Sequence, residues 1–101
     1  MNNTSPSPWY VYIIRCRDNT LYTGITTDLD RRINDHNRGK GCKYTASRRP
    51  VKLVYSEPHP DRSSASKREA QIKGRPRREK EGLIINHDQT REHPAKSNPA
   101  R

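Results

Sequence analysis

The chain reads as an α+β domain: a three-stranded, mainly antiparallel sheet flanked by helices, in the order β-β-α-β-α-α. Three observations predict it. Trp9 to Arg15 and Thr20 to Ile25 each alternate in side-chain character around an Asp18-Asn19 turn, which marks a hairpin. A third short apolar run, Val51 to Tyr55, stands between polar segments. Helical spacing fills the stretches between and after these runs, with Gly39, Gly41 and Gly74 as stops.

The hairpin comes first. Trp9, Val11 and Ile13 lie on one face of the opening strand; Tyr10, Tyr12 and Ile14 lie on the other. An Arg17-Asp18-Asn19 loop sets Cys16 opposite Thr20, Tyr12 opposite Gly24 and Ile14 opposite Tyr22. That register gathers Val11, Ile13, Leu21 and Ile25 on a core face. It leaves Tyr12 and Tyr22 on the opposite face, beside a glycine that leaves open space. A two-residue loop would mix the faces. The chain has 5 Tyr, 1 Trp and no Phe. Hydroxylated rings on a short hairpin point to chemistry or recognition; the bland alternative is that strands favour Tyr.

The next segment is a helix with Thr27 as N-cap and Asp30 completing a capping box. Leu29 and Ile33, one turn apart, face the core, and Arg32 and His36, also one turn apart, share an adjacent face. Gly39 and Gly41 end this helix, and Gly39 to Arg49 forms a basic, glycine-bearing loop. After the third strand a helix runs from about Arg62 or Ser63 to Lys73, with Asp61 as its cap. Its buried stripe reads Ala65, Glu69, Ile72. Gly74 breaks it, and Pro76 opens a last helix ending near Ile85. The expected domain covers residues 9–86, between a flexible segment at 1–8 and a disordered basic tail at 87–101.

Composition narrows the function. At 101 residues there is room for one domain, and with 28% hydrophobic and 32% charged residues its core is small. A net charge of +10 and a pI near 10.1 imply a polyanionic partner, nucleic acid before membrane. No segment combines a strong amphipathic moment with bulky apolar anchors, and no apolar run is long enough to span a bilayer. Cys16 and Cys42 lack zinc-ligand spacing. Without a signal peptide the expected location is cytoplasmic, and a basic monomer is the default expectation.

Three residues stand out chemically. Glu69 is a carboxylate on an apolar stripe. It either pairs with Arg68 or Lys73, or it binds a metal, since one carboxylate with phosphate oxygens and waters is an ordinary way to hold Mg²⁺. Arg32 is either a solvated helix charge or a fork that grips a phosphate. His36 is either a surface histidine or a proton carrier.

Together these residues resemble the GIY-YIG nuclease superfamily, closest to its small stand-alone bacterial members. Tyr10-Val11-Tyr12 stands at the family's first tripeptide and Tyr22-Thr23-Gly24 at its second. The run from Gly24 through Arg32 to His36 matches the following helix. Lys40-Gly-Cys-Lys-Tyr44-Thr45 and Arg49-Pro50-Val51 through Tyr55 match the loop and third strand, and Ala65 through Glu69 to Lys73 matches the glutamate helix. The match extends over about Trp9 to Ile85. It departs from the family in lacking the glycine of the first tripeptide, in placing Thr23 where the family has Ile, and in having no added DNA-binding domain.

The resemblance implies metal-dependent hydrolysis of DNA phosphodiester bonds, in repair or recombination, with Mg²⁺ or Mn²⁺. It implies that Tyr12 orients or deprotonates the attacking water and that Tyr22 holds the scissile phosphate or assists that water. Gly24 would leave room beside them, Arg32 would stabilise the pentacovalent phosphate and Glu69 would bind the metal. His36 matches a polar position near the active site. A phenol acting as base needs positive charge nearby, from Lys40, Lys43 or Arg15. Lys40, Lys43, Arg48, Arg49 and Lys73, with Arg62, Lys67, Arg68, Arg75, Arg77 and Arg78, would hold the DNA backbone. The competing reading is a non-catalytic nucleic-acid-binding protein on the same scaffold.

Overall fold

The first two strands, β1 (Trp9–Cys16) and β2 (Leu21–Thr26), form the predicted hairpin in the predicted register, with Tyr12 opposite Gly24 and Ile14 opposite Tyr22. In this computed structural model residues 8–96 are described, with side chains through His87. The turn closes through Cys16 N–H donating to Thr20 O at 2.9 Å, and Asn19 takes the left-handed conformation at φ 74°. The elements that follow are α1 (Leu29–Asn37), α2 (Lys43–Ala46), β3 (Val51–His59), α3 (Arg62–Lys73) and α4 (Arg77–Lys96). The sheet order is β2-β1-β3 with both pairings antiparallel, so β1 is central.

Alternation along β1 divides the interior into two layers. Val11 and Ile13 pack with Tyr55, Ala65, Ile72 and Ile84 under α3 and α4, with Leu21 and Ile25 against them as the register requires. Tyr12, Ile14, Cys16 and Val51 form the other layer, covered by Leu29 and Ile33 of α1. The tyrosine face is therefore not open, because α1 lies on it. Fully burying Ile72 and Ile84 contributes about 1.5–3 kcal/mol each, which fixes α3 and α4 on their side of the sheet.

Several boundaries differ from the sequence reading. The N-cap of α1 is Asp28, whose carboxylate accepts from Arg31 N at 3.1 Å, and not Thr27. Thr26 Oγ1 accepts from Asp28 N, so the chain turns one residue later than the Thr27–Asp30 pattern implies. The expected loop from Gly39 to Arg49 contains a single helical turn, α2. β3 continues to His59, carrying Pro58 on an edge strand where a missing N–H costs no ladder bond. α4 continues past Ile85 to Lys96. The expected flexible segment lies outside the described residues up to residue 7, as does the expected tail from residue 97 on. Among the described residues no helix is long and apolar enough to cross a membrane.

Candidate active site

The site is built around a tyrosine lying over a glycine. Tyr12 is only 1% exposed, and its ring crosses β2 directly above Gly24. A Cβ added at Gly24 would sit 2.5 Å from the Tyr12 hydroxyl and 2.7 Å from its Cζ. The space expected to be open beside the reacting groups is thus taken by Tyr12 itself. Gly41 serves His36 in the same way: a Cβ there would overlap the imidazole, 2.6 Å from its Cε1. Two glycines on separate segments let the two rings meet.

His36 is the buried residue of α1, at 0% exposure, and not a surface histidine. One ring nitrogen, Nε2, lies 2.9 Å from the Tyr12 hydroxyl; the other, Nδ1, lies 2.8 Å from Thr45 Oγ1. Thr45 donates its only proton to Cys42 O at 3.3 Å. With the hydroxyl proton assigned to that carbonyl, Thr45 Oγ1 accepts from Nδ1–H, and this tautomer makes Nε2 the acceptor for the Tyr12 hydroxyl. A directed row results: Tyr12 O–H to His36, His36 N–H to Thr45, Thr45 O–H to a backbone carbonyl.

Arg32, one turn before His36, donates from Nε to the Tyr12 oxygen at 3.4 Å and from a terminal nitrogen to Gly41 O at 3.3 Å. Burial raises the Tyr12 pKa above 10.0, and Arg32 offsets only part of this. Burial first, then the Arg32 charge, holds His36 below its ordinary 6.5. At neutral pH the row is therefore phenol and neutral imidazole, with one cation beside it. That cation is Arg32 and not Arg15, whose guanidinium forms a two-pronged pair with Glu81 at 2.8 and 3.0 Å.

Tyr22 meets His36 edge to face, with ring centroids 5.4 Å apart. Burial, followed by neighbouring Cys42, pushes its hydroxyl up to about 12, so it stays a proton donor. Glu69 reaches the same region from α3. Its side chain is 23% exposed, pairs with Lys73 Nζ at 3.2 Å, and adds negative potential at Tyr12. Lys73 Nζ also lies 5.9 Å from the centre of the Tyr22 ring, so it joins the carboxylate to the hairpin. Tyr12, Tyr22, Arg32 and His36, drawn from three elements, converge, and Glu69 is tied to them through Lys73 and its charge.

Compared with known proteins, residues 8–82 match the GIY-YIG catalytic domain. The chain belongs to the GIY-YIG family. It is 61% identical over 71 residues to a UPF0213 protein of Desulfotalea psychrophila, covering 69% of this chain and 64% of that one. It is 53% identical over 75 residues to a UPF0213 protein of Staphylococcus haemolyticus, covering 74% of this chain and 92% of that one. The solution NMR structure of a UPF0213 protein from Bacillus halodurans superposes with a TM-score of 0.55 at 41% identity, covering 92% of this chain and 99% of that one. The GIY-YIG domain thus places the chain in a nuclease superfamily, and its three-stranded sheet with flanking helices is the fold these relatives share.

Within the GIY-YIG domain, Glu69 is the carboxylate that could hold a divalent cation. Among the described residues no group of three or more His, Cys, Asp or Glu could enclose a metal. A lone, half-buried hard oxygen donor fits an ion such as Mg²⁺ or Mn²⁺, which takes its remaining ligands from water and phosphate, and does not fit a closed zinc site. Glu69 would give up its pairing with Lys73 to do so.

The predicted DNA-binding cations of the GIY-YIG domain are dispersed, and most are engaged. Arg48 donates to Tyr44 O at 2.7 Å and pairs with Asp18 at 3.0 Å. Arg49 donates to Ala46 O at 2.8 Å and to Asn37 O at 3.4 Å, tying the loop to the end of α1. Arg68, Arg75 and Arg77 pair with Glu57, Glu79 and Glu81. Lys40 and Lys43 are exposed, Lys40 beside acidic residues of α1. Thr45, which orients His36, and Tyr44, which stacks on Tyr22, also border the site. Both sit in the Lys40 to Thr45 string, but no period or spacing marks their roles.

Proposed function

We propose that this chain is a divalent-cation-dependent nuclease that hydrolyses phosphodiester bonds in DNA, in repair or recombination. The observation that carries this reading is the buried row Tyr12–His36–Thr45, with Arg32 on its tyrosine end and Glu69 close by. A protein that only binds nucleic acid needs surface cations; it has no use for an oriented phenol–imidazole pair bought at the cost of burying polar groups.

On this reading each side chain has one task. Arg32 binds a non-bridging oxygen of the scissile phosphate and offsets the charge that grows there. Tyr22, still protonated, donates a hydrogen bond to another. Tyr12 accepts a proton from the attacking water as its own proton passes to His36 Nε2, so no free phenolate is required beforehand. His36 becomes imidazolium while Thr45 keeps the ring in place. A cation held by Glu69 would supply further charge neutralisation at the phosphate.

The test is nicking of plasmid and of labelled linear, single-stranded and branched DNA in Mg²⁺ or Mn²⁺. Cleavage is expected from the wild type, and Glu69→Gln should lose roughly 10²- to 10³-fold while still binding DNA. Undiminished cutting by Glu69→Gln would remove Glu69 from the reaction, and no cutting of any substrate by the wild type would leave only the binding reading.

A further inference from the structure

Tyr44 is one of two large apolar residues that stand out in solvent among the described residues, at 41% exposure, and no task above uses it. A single exposed aromatic is ordinary. This one belongs to a column. Its ring stacks on Tyr22 with centroids 6.0 Å apart and planes 28° from parallel. The Arg48 guanidinium lies over it, 4.0 Å from the ring centre, and Lys73 lies by the far ring, Tyr22. Arg48 is not free to wander. Asp18 holds its Nε, Tyr44 O holds a terminal nitrogen, and its backbone bonds to both Thr45 and Arg17. The column also touches the reactive row, since Tyr22 packs on His36 and Tyr44 precedes Thr45.

A flat, partly exposed stack of rings and guanidinium, fixed in place, is the surface on which a nucleobase adds its own face. In duplex DNA base faces are covered by their neighbours, so only an unpaired base can do this. We propose that Tyr44 and Arg48 form a stacking platform for an unpaired nucleobase beside the scissile phosphate, making the substrate a single strand or a strand with unpaired residues. The proposal rests on the nuclease reading for where the strand runs, but its recognition step needs no cleavage.

The experiment uses oligodeoxythymidylates carrying one 2-aminopurine at successive positions, with EDTA present so that nothing is cut. Binding of the wild type should quench the fluorescence at one or two positions, and annealing a complementary strand should abolish the quench. Tyr44→Ala should lose the quench and bind the single strand about tenfold more weakly, while Tyr44→Phe retains both and duplex binding is unchanged. Absence of a quench in the wild type, or its persistence in Tyr44→Ala, overturns the platform. Quenching by a protein that never cuts in Mg²⁺ sustains the platform and refutes the nuclease reading. Cutting of duplex and single strand alike without quenching does the reverse.

Discussion

Replacing Gly24 with alanine tests the construction of the site without touching a reacting group. The backbone there would accept alanine: among the described glycines only Gly39 has positive φ, and a strand glycine exchanged for alanine otherwise changes stability by less than about 1 kcal/mol. The obstacle is Tyr12. The new Cβ would lie 2.5 Å from its oxygen and 2.7 Å from its Cζ, whereas carbon contacts settle near ~3.5 Å, so the ring must move by about 0.8 Å. The 2.9 Å bond to His36 tolerates about 0.3 Å before it leaves the normal range, so it breaks. The ring is buried on all sides, and overpacking of this kind costs about 1–3 kcal/mol, or roughly 10 °C in melting temperature for about 2 kcal/mol in a chain of this size. A misplacement near 1 Å also lowers a rate by about 10²-fold. Circular dichroism melts and plasmid nicking measure both effects. In a Tyr12→Ala background the same Gly24→Ala change should cost close to nothing, so the pair shows a coupling of about 2 kcal/mol. A Gly24→Ala protein that melts and cuts like wild type, or a cost that survives in the Tyr12→Ala background, refutes the argument that the glycine exists for the ring.

Two further predictions concern pH. His36 must be neutral to accept a proton, and its pKa lies below 6.5, so cleavage should hold as pH falls through 6.5 and drop on an acid limb beneath it; His36→Gln should cut poorly at every pH and lack that limb. Glu81, held at about 2 by hydrogen bonds from Arg15 first and then Arg77, has a folded pKa below its ordinary 4.5, so its stabilisation is complete above 4.5 and is lost as pH falls toward about 2. Glu81→Gln should therefore melt below wild type at pH 7, with the gap closing between pH 4.5 and 2 in scanning calorimetry.

The hairpin was legible because period-two alternation and loop length together leave one register that separates Val11 and Ile13 from Tyr12 and Ile14. The glutamate helix was legible for a similar reason: Asp61 caps it through Ser64 N at 2.8 Å, and Ala65 and Ile72 bury the stripe that carries Glu69. The surroundings of that stripe were not legible. Whether Gly24 leaves a hole or a seat depends on a side-chain direction across the strand pair. The burial of His36 depends on the Gly41 to Thr45 segment folding back over α1, and a four-residue helical turn carries no period to announce it. Arg15 and Arg32 look alike in sequence. Only the fold shows that α4 brings Glu81 to the first and that α1 brings Tyr12 to the second.

The separation of charge from chemistry in this molecule has a consequence for the reaction. Arg48, Arg68, Arg75 and Arg77 are matched by neighbouring acids, so the excess of +10 is carried by other cations, and on the proposed reading that excess serves affinity for a polyanion. The Tyr12–His36–Thr45 row is buried and neutral, and among the described residues Arg32 is the cation that hydrogen-bonds to it. Arg32 acts on the row in two opposed ways: it eases loss of the Tyr12 proton and it weakens His36 as a proton acceptor. On the proposed reading a phosphate bound at Arg32 cancels much of that second effect, because an anion now stands where His36 previously met an unbalanced positive charge. Burial, the first cause of the lowered His36 pKa, is unchanged by that anion, and the same anion offsets the help that Arg32 gives to loss of the Tyr12 proton. On the proposed reading, burial keeps the Tyr12 phenol protonated in the free protein, and bound phosphate shifts the balance at Arg32 for both partners of the Tyr12–His36 bond.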